Sequence, residues 1–287
     1  MLIVNPAARG GRSAEPEALS AFRALGVEPL VLRTAGPGDA ARLATTISGD
    51  EPIFVLGGDG TVMEVVGALA KSGRAVGVLP GGTGNQLARL LGIPLDVSAA
   101  IRALHRSATR PLDLGRLADG RHFAIAAGVG MDAAMIAGAS PVAKRWIGVG
   151  AYVLSAVGPA LAARSFPVRI EADGKVFERE AAMAMIANVG SVMGGRFSLA
   201  PGASPNDGLL DLCVLSPRGL VDGAALALRM LRQDLRDDPR WLFVQARDVR
   251  IVAPLGVPAQ ADGELLATAT LHAVAVPDAA QFLVPKR

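Results

Sequence analysis

Cysteine is nearly missing from this chain: Cys213 stands alone among 287 residues. One thiol builds neither a disulfide framework nor a thiolate metal cage. Its place in Leu209-Leu210-Asp211-Leu212-Cys213-Val214-Leu215 reads as a strand-buried side chain. Aromatic residues make up only 4%, with no interleaving of basic and aromatic positions. Base-stacking platforms are therefore not available, and no nucleic acid is expected as a partner. The histidines are limited to His105, His122 and His272, none at metal spacing from a second ligand, and they read as surface or satisfied core groups. Long apolar runs free of breakers are also lacking. The most apolar stretch, Trp146 to Ala163, is interrupted by Gly148, Gly150, Gly158 and Pro159, and reads as a buried helix rather than a membrane span. The opening Met1-Leu2-Ile3-Val4-Asn5-Pro6 reads as a short strand and turn, without the charged and apolar regions of a signal peptide. The expectation is a soluble, cytoplasmic protein.

What is present is ample core material: 51% of the residues are hydrophobic and 19% charged, enough for one large or two ordinary domains. The net charge of +3 is mildly basic and fits an anionic ligand or membrane surface. In the first third, apolar runs at Leu2–Val4, Leu30–Leu32, Ile53–Leu56 and Val76–Leu79 alternate with helical patterns. One pattern carries Leu19, Phe22 and Leu25; the next, with Asp39 as its expected cap, carries Leu43 and Ile47. Repeated β-α units predict a parallel sheet with helices on both faces. From Asp113 onward the character changes. Asp119-Gly120 and Asp173-Gly174 read as two-residue hairpins. Strands are predicted at Ala184–Ala187, Leu210–Val214, Val249–Val252 and Leu271–Val276, interrupted by helical patterns at Val142–Ala163 and Leu220–Leu231. An antiparallel second domain is expected, with Pro111 at the boundary.

The most informative run is Gly57-Gly58-Asp59-Gly60-Thr61, placed between an apolar strand and a helix start. Glycines let backbone N–H groups approach an anion and reach φ > 0 cheaply, and a helix N-terminus adds free donors. Thr61 and Glu64 stand in capping-box register. A second loop, Pro80-Gly81-Gly82-Thr83-Gly84-Asn85-Gln86, repeats the pattern, with Thr83 and Gln86 in the same register. Leu87, Leu90 and Leu91 are expected to face inward until Gly92 and Pro94 stop the helix. In a parallel sheet these loops, together with Asn5 to Gly11 and Thr34, share the carboxyl edge, where open α/β sheets bind ligands. Neither loop ends in Gly-Lys-Ser/Thr, so neither is a Walker P-loop, and the spacing is not the dinucleotide fingerprint.

Gly-Gly-Asp-Gly-Thr-x-x-Glu followed by Pro-Gly-Gly-Thr-x-Asn resembles the diacylglycerol kinase catalytic-domain family, which includes bacterial lipid kinases and sphingosine kinases. Asn5-Pro6, Asp113-Leu114-Gly115, Pro201 through Asp211, and Asp262-Gly263-Glu264 are similar to further family landmarks, in family order over nearly the whole chain. The resemblance implies a NAD kinase-like α/β nucleotide domain followed by an antiparallel β-sandwich-like domain. The boundaries expected are 1–112 with about 278–287 for the first and 113–277 for the second, with Phe282-Leu283-Val284 returning to the first.

By the same resemblance, Asn5, Pro6, Ala7, Ala8, Arg9, Thr34, Gly57, Gly58, Asp59, Gly60, Thr61, Glu64, Gly82, Thr83 and Asn85 surround ATP. Ser204, Asp207 and Leu209 bind Mg2+, through the Asp207 carboxylate and the backbone carbonyls of Ser204 and Leu209. Asp262 and Glu264 are catalytic, with Asp262 expected as the base and Glu264 positioning the acceptor or contacting the metal. For Asp59 the residues leave loop-holding and metal positioning both open, because a carboxylate repels phosphate. The activity implied is ATP- and Mg2+-dependent phosphorylation of a lipid hydroxyl, diacylglycerol-like or related; an NAD kinase and an inactive nucleotide-binding regulator are the alternatives. The implied partner is a lipid substrate, with peripheral membrane contact through Leu220–Leu231 and its basic neighbours Arg232 and Arg236, and a homodimer is compatible. The chain departs from the family pattern at Met63, Gly67 and Gln86. Gln86 stands where an acceptor-side aspartate is common and cannot act as a base, which leaves the acceptor open.

Overall fold

A computed structural model describes residues 1–105, 107–131, 133, 165–192, 197–198, 203–232, 234 and 238–286. The expected helix at Val142–Ala163, with Lys144 and Arg145, lies outside these residues, as do Pro201 and Arg236. The described chain forms two compact units, residues 1–114 with 276–287, and residues 115–275.

The first unit is the expected parallel α/β layer. Strands β1 (Leu2–Val4), β2 (Val31–Arg33), β3 (Ile53–Gly57) and β4 (Ala75–Pro80) alternate with helices α1 (Gly11–Ala24), α2 (Asp39–Thr46) and α3 (Asp59–Ala68). Short helices α4 (Gln86–Leu90) and α5 (Val97–Leu104) follow β4. The sheet order is β2-β1-β3-β4, all parallel. Strand β1 is buried throughout, as are Ile53, Val55 and Leu56 of β3, which explains their unbroken apolar runs. Helix α1 buries Ala18, Ala21 and Phe22, and Phe22 meets Phe54 edge-to-face at 5.0 Å. The buried face of α2 is Ala40 and Ala44 rather than Leu43 and Ile47, and Ile47 lies past its last residue.

The chain enters the second unit along β5 (Ala108–Leu117) and leaves it along β18 (Thr270–Val284). Pro111, expected at a boundary, lies inside β5. The second unit is the expected antiparallel β domain. One sheet has the order β14-β13-β10-β7-β16-β17, formed by β7 (Ala126–Gly130), β10 (Met183–Ala187), β13 (Leu210–Leu215), β14 (Trp241–Ala246), β16 (Ala259–Ala261) and β17 (Glu264–Leu266). Strands β8 (Phe166–Ala172), β9 (Lys175–Ala181) and β15 (Asp248–Val252) form the other layer with the first part of β18. Strand β6 (His122–Phe123) pairs with β5, and a small ribbon joins β11 (Ser191–Val192) to β12 (Phe197–Ser198). Between the layers lie Val129, Ile170, Ile186, Leu212, Ile251 and Leu271, all essentially without exposure. Helix α6 (Leu220–Leu231) carries Leu226 onto the opposite face of the first sheet, beside Cys213 and Trp241.

The Asp173-Gly174 hairpin follows the expected two-residue form, and the Asp262-Gly263 turn takes the same form. Ala172 pairs with Lys175 across Asp173-Gly174, and Ala261 with Glu264 across Asp262-Gly263. All four turn residues have positive φ, as a type I′ turn requires. The Asp119-Gly120 hairpin differs. Leu117 N–H bonds the Arg121 carbonyl and Gly120 N–H bonds Leu117, so the loop holds three residues. Strand β18 runs far past the expected Val276. Its Gln281 and Phe282 pair in parallel with Ala75 and Val76, so the chain returns to the first unit.

Candidate functional site

In the first unit the four strand ends are in register: Val4 opposes Arg33 and Leu56, and Gly57 opposes Pro80. Asn5–Arg9, Thr34, Gly57–Thr61 and Gly81–Asn85 therefore share one edge. The connection after β1 leads to β2 on one side, whereas the connection after β3 leads to β4 on the other. The β1 and β3 ends are thus a topological switch point, where diverging loops open a crevice. Asn5 Nδ2 spans it, donating to Thr61 Oγ1 at 2.8 Å, while its own Oδ1 accepts the Ala7 N–H at 2.9 Å.

The loops are laced to one another through their backbones. Gly10 N–H bonds the Gly81 carbonyl and Gly81 N–H bonds the Gly57 carbonyl, both at 2.9 Å. The glycines serve this close approach. A Cβ on Gly82 would stand 2.6 Å from Gly58 Cα, and one on Gly11 only 1.9 Å from the Asn5 carbonyl oxygen. The expectation of positive φ is corrected: no glycine of Gly57–Gly60 or Gly81–Gly84 adopts it, and the left-handed residue at this edge is Asn85, φ +47°. Asn85 Oδ1 accepts the Gly82 N–H and its Nδ2 donates back to the Gly82 carbonyl.

Both capping boxes are also corrected. Helix α3 begins at Asp59, so Thr61 already lies in its first turn, and no side chain caps it. Glu64 reaches the next helix instead, accepting the N–H groups of Gly38 and Ala40 at the start of α2. That contact satisfies donors that Asp39 was expected to serve; Asp39 is the first residue of α2 and accepts from Ala35. Helix α4 starts at Gln86 behind Asn85, so Gln86 does not cap it. Its Leu87 N–H is taken by Asp59 Oδ1 at 3.1 Å, which assigns Asp59 a loop-holding contact between the two glycine segments. Arg9 and Thr83 are exposed at the same edge and Thr34 is half-buried. The edge thus offers uncapped α3 donors, hydroxyls and an exposed guanidinium, a donor set suited to phosphate oxygens.

In the second unit, Asp262 lies inside the turn between β16 and β17. Its carboxylate accepts three backbone N–H groups: Oδ2 from Ala124 at 2.7 Å, Oδ1 from Ile125 at 2.9 Å and Ala126 at 3.1 Å. Glu264 opens β17, is exposed, and accepts no hydrogen bond among the described residues. Asp207 is exposed, and its Oδ1 accepts the Leu209 N–H at 3.0 Å. Among the described residues no three acidic, histidine or cysteine side chains cluster as a metal cage. A hard cation held largely by carbonyls, one carboxylate and waters does not need such a cage, and Ser204, Asp207 and Leu209 fit that chemistry.

One residue escaped the sequence reading. Asp211 is fully buried in β13, with Oδ1 accepting from Gln245 Nε2 at 3.0 Å and Oδ2 unpartnered. Its carboxyl is raised to about 6, chiefly by burial, with the Gln245 bond opposing and the Asp207 charge adding to the rise. The signal was a lone acid within an otherwise apolar strand. Asp211 opposes both Gln245 and Ala187, and Ala187 opposes Ala126. The 204–211 segment and the Asp262 turn therefore meet one row of residues at one end of one sheet.

Comparison with known proteins matches residues 1–117 to the diacylglycerol kinase catalytic domain. Residues 124–284 match the YegS C-terminal NAD kinase beta sandwich-like domain. "Diacylglycerol kinase" of Bacillus subtilis (strain 168) is 32% identical over 253 residues, 86% of this chain and 83% of that protein. "Probable lipid kinase YegS-like" of Pseudomonas putida is 34% identical over 254 residues, covering 86% and 82%. A crystal structure of a diacylglycerol kinase from Bacillus anthracis str. Sterne superposes with a TM-score of 0.78 at 26% identity, covering 99% and 96%. An NAD kinase from Archaeoglobus fulgidus in complex with ATP gives a TM-score of 0.57 at 13% identity, covering 99% and 93%, a likeness of fold alone.

Proposed function

The chain belongs to the diacylglycerol kinase catalytic-domain family, and from that premise we propose that it transfers the terminal phosphoryl group of ATP to a hydroxyl of a diacylglycerol-like lipid. The observation that carries this reading is the switch-point edge, where Asn5, Thr61 and two laced glycine loops surround uncapped helix donors. Backbone N–H groups there face the triphosphate, with Arg9, Thr34 and Thr83 beside them. They hold charge that spreads over the transferring oxygens, so catalysis is positioning and electrostatic stabilisation. The relatives' names supply the lipid acceptor.

The hydrogen bonds of the turn divide the two acids. A carboxylate holding three N–H groups is spoken for, so Asp262 is a positioning residue that fixes the β16–β17 turn. Glu264, with its carboxylate uncommitted, is the general base that takes the acceptor's hydroxyl proton as the new P–O bond forms and the bond to ADP breaks. Mg2+, when bound, supplies charge neutralisation; Ser204, Asp207 and Leu209 would hold it. Val221 and Leu228 on α6 are 84% and 48% exposed, apolar surface that suits peripheral contact with the lipid phase.

The test is incubation with γ-labelled ATP, MgCl2 and vesicles containing diacylglycerol, with NAD as a parallel acceptor. Label in the lipid fraction is expected. Label in NADP, or ATP binding with no transfer to either acceptor, would overturn the reading.

A further inference from the structure

We infer that Asp211 is a second carboxylate of the divalent-cation site on the 204–209 loop, facing the cation with Oδ2. The inference rests on the proposal that Ser204, Asp207 and Leu209 bind Mg2+, and it adds a residue which that ligand set lacks.

Asp211 is the least comfortable acid in the described chain. Its side chain is fully buried, yet only Oδ1 has a partner, the Gln245 amide. Oδ2 is buried without one. Ionised, it leaves a charged acceptor unpaired; protonated, it leaves a hydroxyl donor unpaired. Either state is costly in a protein interior. Removing the carboxylate would relieve this arrangement, and so would a cation beside Oδ2.

The placement agrees. Alternation along β13 puts Asp211 on the same sheet face as Cys213 and Leu215, and Ala203, at the start of the loop, packs against that face. The loop carrying Ser204 and Asp207 therefore begins on the side that Asp211 occupies. The nearby donors named here are carboxylates, carbonyls and a hydroxyl, with no imidazole or thiolate among them. That is the ligand chemistry of a hard divalent ion such as Mg2+. Asp211 also connects the site to the acidic turn. Asp211, Ala187 and Ala126 are consecutive across neighbouring strands, and Ala126 N–H is one of the three held by Asp262. Strand spacing puts Asp211 about 10 Å from Ala126.

The test is cation binding, read without activity. Mn2+ binding counted by electron paramagnetic resonance, with MgCl2 as competitor, and MgCl2-dependent melting are measured for wild type, Asp207→Asn and Asp211→Asn. Wild type is expected to bind one ion and to melt higher with MgCl2. Asp211→Asn is expected to melt at or above wild type without cation, to bind at least tenfold more weakly, and to lose the MgCl2 shift. Wild-type binding by Asp211→Asn, with loss in Asp207→Asn, overturns this inference alone and assigns Oδ2 a buried water. No binding by wild type overturns both this inference and the magnesium-loop reading. Should the variant not fold, 13C carboxyl signals of aspartate-labelled wild type serve instead. A buried aspartate signal must shift with MgCl2, and an unmoved one contradicts the inference.

Discussion

Glu264 and Asp262 stand two positions apart, yet the Asp262 carboxylate holds three N–H groups and that of Glu264 accepts none among the described residues. Glu264→Gln keeps the shape and removes the proposed proton acceptor. Its kcat should fall about 100-fold or more, with ATP affinity unchanged by calorimetry. Asp262→Asn should instead cost about 1–3 kcal/mol of stability, because at least one of three N–H groups loses its acceptor, and denaturant titration would read it. A catalytic loss confined to Asp262→Asn, with Glu264→Gln active, would restore Asp262 as the base. Gly82→Ala forces a Cβ to within 2.6 Å of Gly58 Cα, so it should separate the two loops and weaken ATP binding while the second unit stays folded. Binding at wild-type strength would mean the loops do not need their close approach. The need for glycine at these positions was legible in the sequence, but its reason was not. Glycine in such loops suggests N–H groups brought close to an anion and cheap access to positive φ, whereas the structure uses these residues for backbone contact between segments some 25 positions apart, as in Gly81 N–H to Gly57.

Elements were most legible where their signals are local. The β-α alternation and the turn Asp173-Gly174 depend on neighbouring residues, and both match the sequence pattern. Helix starts were misread where the partner is distant. Thr61-x-x-Glu64 has the spacing of a self-contained cap, yet Glu64 serves α2, 24 to 26 positions earlier. Asp59 serves Leu87, 28 positions later. Glu64→Ala should therefore destabilise α2 rather than α3, by about 1 kcal/mol, visible as faster amide exchange at Gly38 and Ala40. In the second unit, Asp238 ties Arg229, near the end of α6, to Arg240 at 2.9 and 2.8 Å, and Arg240 also holds Asp222 at 2.8 Å. The Arg240 bond, with its backbone N–H and the charges of Arg240 and Arg229, holds the Asp238 carboxyl well below the ordinary aspartate value despite burial. A depressed carboxylate contributes stability above the unfolded value near 3.8, lost as pH falls through the lower folded value. Asp238→Asn should flatten that acid limb and cost about 3 kcal/mol at neutral pH; an unchanged profile would show the network to be idle.

At the scale of the molecule, the end of the chain's last strand, from Val276, belongs to the first unit. Phe282 is fully buried and pairs with Val76, Asp278 N–H is held by buried Asp113 at 2.7 Å, and Lys71 N–H bonds Ala279. Phe282→Ala should cost about 3–5 kcal/mol and lower the melting of the first unit, which carries the proposed nucleotide edge. The return was legible only through resemblance, because nothing local in Phe282-Leu283-Val284 points 200 residues back. Among the described residues no helix is long and apolar enough to cross a membrane.

The β1–β3–β4 edge is the proposed seat of the triphosphate, and every other proposed role depends on it. Titration of 15N-glycine-labelled protein with ATP reads that edge signal by signal. The largest amide shifts should fall on Gly57, Gly58, Gly60, Gly81, Gly82 and Gly84. Saturable ATP binding that leaves those six unmoved and shifts glycines elsewhere would contradict it.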